Sequence, residues 1–186
     1  FKSPPVWHLA GIYVTFGFSY VIYATFFVRY LTAEGVFSIE RAGSLWSAVG
    51  TVSIVSGLIW GTLSDRLGRR NGLALVFTVQ MASYALFGLW REPGGRSLSA
   101  ALFAVTAWGS PAIMVSAVSE LLEPRLASAA YGFLSLFIGI GQVAGPFVAG
   151  RLTAHTHSYA QAFVLAAVAA LAGAVGSLAL PQPSRR

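Results

Sequence analysis

The chain contains no cysteine. Disulfides, thiolate catalysis and cysteine-based metal sites are therefore excluded. Charge is scarce as well. Asp, Glu, Lys and Arg make up 10% of the 186 residues, against roughly 25% in an ordinary soluble domain. A chain that is 56% hydrophobic, with a mean hydropathy of +0.70, cannot cover a soluble surface. Acids are the rarer charge, 6 against 12 Lys and Arg, and none stands in the middle of an apolar run. The formal charge of +6 raises nucleic acid as a partner. The arginines, however, are scattered at segment ends with no basic face or stripe, so no nucleic acid is expected. Histidine is also sparse. His8, His155 and His157 lie near segment ends, which leaves an intramembrane enzyme no nucleophile and base at depth. The His155-x-His157 pair has no third ligand nearby. No enzyme activity, metal or cofactor is expected.

What remains is six apolar segments: Trp7–Leu31, Ala42–Ser64, Gly72–Trp90, Ser97–Leu122, Ala127–Leu152 and Tyr159–Leu180. Each is close to or above the roughly 20 residues that cross a bilayer as a helix. A barrel would need alternating segments of about 10 residues. The fold class expected is an all-α membrane protein with six transmembrane helices, the bilayer being its solvent. The first segment is too long for a signal-peptide core and lacks a cleavage site. Connectors carry the breakers and charges: Thr32–Arg41, Asp65–Asn71, Arg91–Arg96, Glu123–Leu126, Thr153–Ser158 and the tail Pro181–Arg186. With both termini cytoplasmic, Lys2, Arg66, Arg69, Arg70, Arg125, Arg185 and Arg186 fall inside, and Arg29, Arg41, Arg91, Arg96 and Arg151 outside. The densest basic cluster is then on the retained side, and Arg29 and Arg151 snorkel from helix ends.

That cluster is Gly61-Thr62-Leu63-Ser64-Asp65-Arg66-Leu67-Gly68-Arg69-Arg70, between segments two and three. An ordinary positive-inside loop accounts for the arginines but not for Asp65 or the two glycines. The pattern G-x-L-x-D-R-x-G-R-R is similar to the loop motif of the major facilitator superfamily, with all its fixed positions present. The resemblance implies secondary transport of a small molecule by alternating access, possible proton coupling included. It implies six helices arranged as a 3+3 inverted repeat, half of a twelve-helix protein. Segments one and four would line the cavity, two and five would meet the other half, and three and six would lie outside. A second six-helix half, in the same chain or a partner, is the protein partner expected. The start Phe1-Lys2-Ser3-Pro4-Pro5 and the short tail resemble those of a C-terminal half. The expected location is a bacterial inner (plasma) membrane. Two alternatives stand beside transport by a half: a non-transporting six-helix scaffold, and a half-size transporter that dimerises with itself.

Candidate site residues fall into three groups. At the cytoplasmic end, Gly61, Asp65, Arg66, Gly68, Arg69 and Arg70 form the motif, and Glu120 and Arg125 flank the next connector. Glu120 admits two readings, proton binding or an ion pair with Arg69. The resemblance implies the pair, a latch made in one transport state and broken in the other. For the cavity, Tyr13, Ser19, Tyr20 and Tyr23 on segment one recur at helical spacing, where tyrosines either orient a ligand or pack. Segment four supplies Thr106, Trp108, Ser110 and Met114 around Pro111, a proline expected to kink the helix. Freed carbonyls at that depth must be buried in protein or face water. Gln142 faces either the cavity or a neighbour. The third group bends and packs helices. Gly141, Gly145 and Pro146 in segment five resemble a glycine-proline motif associated with antiporters, and a second break is expected there. In segment two, Gly57-x-x-x-Gly61 is a small-residue pair suited to close packing, and Gln80 in segment three suits an interhelical hydrogen bond.

Overall fold

The computed structural model describes residues 4–33, 37–122 and 124–180. Among these the regular structure is helical throughout: α1 (Pro4–Ala33), α2 (Ile39–Ser53), α3 (Ser56–Leu67), α4 (Arg69–Leu89), α5 (Pro93–Ala104), α6 (Gly109–Leu121), α7 (Pro124–Thr156) and α8 (Ala160–Leu178). Five spans are long and apolar enough to cross a membrane, with α5 and α6 read together as Pro93–Leu121. The pair α2 and α3 makes a sixth, bent by 43°. The protein is an all-α integral membrane protein.

Local sequence explains the starts and bends. Pro4 and Pro5 open α1, where a missing N–H costs nothing. Ser38 caps α2, its hydroxyl accepting from the Arg41 amide at 3.3 Å. The α2–α3 bend falls in Thr51-Val52-Ser53-Ile54-Val55-Ser56, where β-branched residues crowd the helix and serines compete for its carbonyls. Ser53 and Ser56 donate to the Gly50 and Ser53 carbonyls at 2.7 Å each. The Ile54 and Val55 amides bond three residues back, a tightened turn. Segment four breaks at 105–108, one turn before Pro111, a residue that withholds a donor from that turn. Pro111 itself is the third residue of α6, inside a first turn that tolerates it.

Three expectations are corrected. The motif is not a loop over Asp65–Asn71, since α3 and α4 leave only Gly68 between them. Its φ of 84° suits a residue without Cβ, which is how one residue reverses the chain. The expected break in segment five is absent, and α7 runs through Pro146. At its far end α7 continues to Thr156, so His155 is helical and not part of a loop.

Packing centres on α8, which lies on both α1 and α4, while α7 covers α1 and α3 lies against α6. Phe77, Tyr84, Phe87, Phe103 and Phe163 are fully or almost fully buried and close around the aromatic face of α1. The tightest approach is α1 on α7. A Cβ on Gly141 would strike the Val14 carbonyl and lie 2.7 Å from the Phe18 nitrogen; one on Gly145 would lie 2.6 Å from the Phe18 carbonyl oxygen. Gly17 meets the Ile138 carbonyl in the same way. Small residues let two backbones touch where no aqueous hydrophobic effect drives them together. Apolar side chains remain uncovered on α3 (Leu58, Ile59) and on α7 (Leu136, Ile140, Val143, Phe147).

Candidate functional site

At the motif end one guanidinium joins three helices. Arg69 opens α4, and its Nε donates to Glu120 Oε1 of α6 at 2.8 Å. Its second terminal nitrogen lies 2.7 Å from the same oxygen and also pairs with Asp65 of α3. The remaining nitrogen donates to Ser64 Oγ and, at 3.4 Å, to the Gly61 carbonyl. The arginine is mostly covered, while the Asp65 and Glu120 side chains are 58% and 47% exposed. Such half-exposed pairs contribute only about 0–1 kcal/mol. Arg69 therefore biases the packing of α3, α4 and α6 without locking it. Arg66 and Arg125 are exposed at the same end, and Arg70 is half-buried. Gly61 contributes its carbonyl and not a packing face, for a Cβ there would meet nothing within 4 Å. Close approach occurs instead at Gly72, where a Cβ would come within 2.6 Å of the Ser64 Cβ. Ser64 and Gly72 carry no signal of their own in the sequence beyond lying inside and just after the motif.

Halfway along the bundle, side chains from segments two and three bind the broken backbone of segment four. The Trp60 indole donates to the Val105 carbonyl at 2.6 Å. The Gln80 amide donates to the Thr106 carbonyl at 3.1 Å. The Trp108 amide donates to Ser56 Oγ at 3.0 Å. The Thr106 carbonyl also accepts from the Gly109 amide at 2.9 Å, so it is the Val105 carbonyl and the Trp108 amide that depend on these side chains to be satisfied inside the protein, as an apolar solvent requires. Because Ser56 opens α3, the two bends are tied to each other. Gln80 makes the interhelical bond that its lone polarity suggested; Trp60 and Ser56 resemble any other membrane-helix residue until the break is seen. Ser110 Oγ and Gln80 Oε1 are buried beside these groups without a hydrogen-bond partner among the described residues.

The aromatic face of α1 is packing and not a cavity wall over most of its length. Tyr23 is fully buried, stacked on Phe103 at 4.3 Å and bonded to Ser99 Oγ at 2.8 Å. Tyr13 is buried with its hydroxyl 3.4 Å from that of Tyr131. Ser19 donates to the Thr15 carbonyl and Thr106 to the Leu102 carbonyl at the end of α5, and Met114 is fully buried. Rings and hydroxyls at helical spacing serve a core as readily as a site, and here the surrounding helices are close enough to take them up. Three candidates stay on the surface. Tyr20 is half-buried against Trp108, ring centres 6.2 Å apart; Trp108 is 51% exposed; Gln142 is exposed on α7. Tyr20 and Trp108 join segments one and four along a face continued by Val105 and Val115.

The described residues hold no cluster of His, Cys, Asp or Glu able to bind a metal ion. A cavity of about 420 Å³ opens at the opposite end from Arg69, between α1, α7 and the start of α8. It is lined by Phe26, Arg29, Gly150, Thr153, Ala154, His157 and Tyr159.

Comparison with known proteins gives concordant results. Residues 1–178 match the family described as "Uncharacterised MFS-type transporter YbfB". A human protein, solute carrier family 67 member A1, is 30% identical over 138 residues, covering 72% of this chain and 32% of that protein. The MFS transporter PfmaC of Pestalotiopsis fici is 34% identical over 76 residues, 40% of this chain and 14% of that one. A crystal structure of the peptide transporter POT in complex with sulfate superposes with a TM-score of 0.83 at 22% identity, over 94% of this chain and 37% of the other. That likeness speaks to the fold. The chain spans about a third or less of the length of each of these proteins.

Proposed function

The chain belongs to the major facilitator superfamily, and on that footing we propose that it forms one six-helix half of a secondary transporter working by alternating access. The observation that carries the reading is Arg69, shared between Asp65 and Glu120. It ties segments two, three and four together at one end through contacts weak enough to break. In this reading the pair is a latch on the cytoplasmic side, made while that side is closed. The 3+3 repeat, with both termini cytoplasmic, places the motif end inside. The uncovered apolar faces of α3 and α7 meet the second half. Tyr20, Trp108 and Val115 line the path between the halves, with Gln142 at its margin.

The test uses introduced thiols, which report cleanly because this chain has no cysteine of its own. Ala101→Cys and Val115→Cys lie towards opposite ends of segment four, each on its exposed face. In the full-length protein with its other cysteines removed, labelling by a membrane-impermeant maleimide is compared with and without Glu120→Gln. Alternating access predicts opposite changes, with labelling rising at position 115 and falling at position 101. Equal changes, or none, would return the protein to the scaffold reading.

A further inference from the structure

The cavity at the far end has no part in the latch or in the path between halves, and its chemistry is distinct. Arg29 projects from the last turns of α1, and its Nε donates to the Tyr159 hydroxyl at 2.7 Å. Both ion pairs among the described residues belong to Arg69, so no described carboxylate neutralises Arg29. Its terminal amino groups remain as donors in the fork geometry that matches carboxylate and phosphate oxygens. Tyr159, acting as acceptor for Arg29, keeps its own O–H to donate.

Thr153 carries the second observation. Helical hydroxyls in this chain usually donate to their own helix, as Thr32, Ser135, Thr156 and Ser177 do. Thr153 does not; it lines the cavity, and its Oγ1 is buried with no hydrogen-bond partner among the described residues. A buried hydroxyl left in this state calls for a partner such as a water or an ion. The α7 terminus is also shaped around the cavity. His157 takes a φ of 52°, its amide bonded to the Thr153 carbonyl at 2.8 Å, and this turn sets Tyr159 beside Phe26 with ring centres 5.9 Å apart. The rest of the lining, Phe26, Gly150 and Ala154, is apolar.

We propose that this cavity binds an anionic oxygen group, carboxylate or phosphate, carried on a small apolar body, with Arg29, Tyr159 and Thr153 as its donors. Two sources share that chemistry: a free organic anion and the headgroup of an anionic lipid. The inference does not rest on transport, because occupancy is read at equilibrium.

The experiment places the full-length protein in nanodiscs of phosphatidylcholine alone and titrates benzoate, inorganic phosphate and, as a neutral control, benzyl alcohol by calorimetry. Saturable binding of either anion but not of the alcohol is expected. It should weaken at least about ten-fold in Arg29→Gln and less in Thr153→Val. Arg29 is exposed and no described carboxylate pairs with it, so the variant should unfold at the wild-type temperature, which circular dichroism checks. In nanodiscs containing phosphatidylglycerol, anion binding that persists identifies a solute site. Anion binding displaced by the lipid, with one phosphatidylglycerol retained in native mass spectra of the wild type but not of Arg29→Gln, identifies a headgroup site. Affinities equal in wild type and Arg29→Gln, or no anion bound and no lipid retained, would overturn the proposal while leaving the thiol-labelling test of transport untouched.

Discussion

Two spans of this bundle carry a proline near their middle, and only one is broken. Segment four stops at Ala104 and restarts at Gly109, just ahead of Pro111. The helix α7 passes through Pro146 without interruption. A proline therefore does not by itself break a membrane helix. Segment four can break because Trp60 and Ser56 take over two released backbone groups and Gln80 adds a second donor to the Thr106 carbonyl. The helix α7 stays whole because Gly141 and Gly145 hold it against the α1 backbone on the turns before Pro146. What surrounds a proline decides its effect, since in an apolar solvent a released backbone group needs a partner.

The largest effect expected is at the glycine contact that keeps α7 straight. Gly141→Val sets a branched side chain against the Val14 carbonyl and the Phe18 amide, backbone atoms that cannot turn aside. Overpacking of that kind costs about 3 kcal/mol or more, and loss of folded protein in detergent melts is expected. Gly139→Val, two residues away with nothing within 4 Å, should melt like wild type. Equal losses in the two would mean that α7 is sensitive to helix propensity and that the contact with α1 is not what straightens it.

Next come the groups that satisfy the break. Trp60→Phe leaves the Val105 carbonyl without its donor, whereas Gln80→Leu takes one of two donors from the Thr106 carbonyl, which keeps the Gly109 amide. Trp60→Phe should lower stability by about 1–3 kcal/mol, the cost of a buried unsatisfied group, and Gln80→Leu by about 1 kcal/mol, the worth of one ordinary hydrogen bond. The pair should be less than additive if one relaxed backbone answers both losses. Pro111→Ala sharpens the comparison, because the break should survive as long as these donors do. A span that became one continuous helix in that variant would give the break back to the proline.

The sequence shows much of this and hides the rest for a physical reason. Hydrophobic length revealed the spans, and the spacing of Asp65, Gly68 and Arg69 revealed the motif, since each depends on residues close together in the chain. The Arg69–Glu120 contact crosses 51 positions and was reached only through the family resemblance. The bend at Ile54–Val55 is not legible in the sequence, although its β-branched run is visible, because such runs are ordinary in membrane helices. Whether Tyr13, Ser19 and Tyr23 wall a cavity or pack stays open in the sequence, because helical spacing tells which residues share a face and not what that face meets; in the fold all three are buried. Arg29, Thr153 and Tyr159 come from α1, α7 and the turn before α8, and make a set only once the chain is folded.

At the motif end the stability effects shrink while functional ones grow. Glu120→Gln and Asp65→Asn each remove one of two carboxylates sharing Arg69. With both acids half-exposed, each change should cost less than about 1 kcal/mol. If the latch reading is right, Glu120→Gln should shift the thiol-labelling pattern more than Asp65→Asn. Glu120 reaches across to α6, whereas Asp65 stands one helical turn from Arg69, across Gly68, and holds it in place. Equal shifts would make Arg69 itself, and not the bond across helices, the controlling group.

The smallest effect is expected where the comparison began. Pro146→Ala restores an amide to α7, and that amide can reach the carbonyl of Gln142 one turn earlier. Gln142 is exposed, and α7 is already straight, so the new bond has no bend to remove. The unfolding midpoint should rise slightly, and labelling at positions 101 and 115 should not change. A labelling change would show that α7 flexes at Pro146 in a state other than the one described here. The difference between the two prolines would then be one of timing in a transport cycle, with segment four bent throughout and α7 bending only when the latch opens.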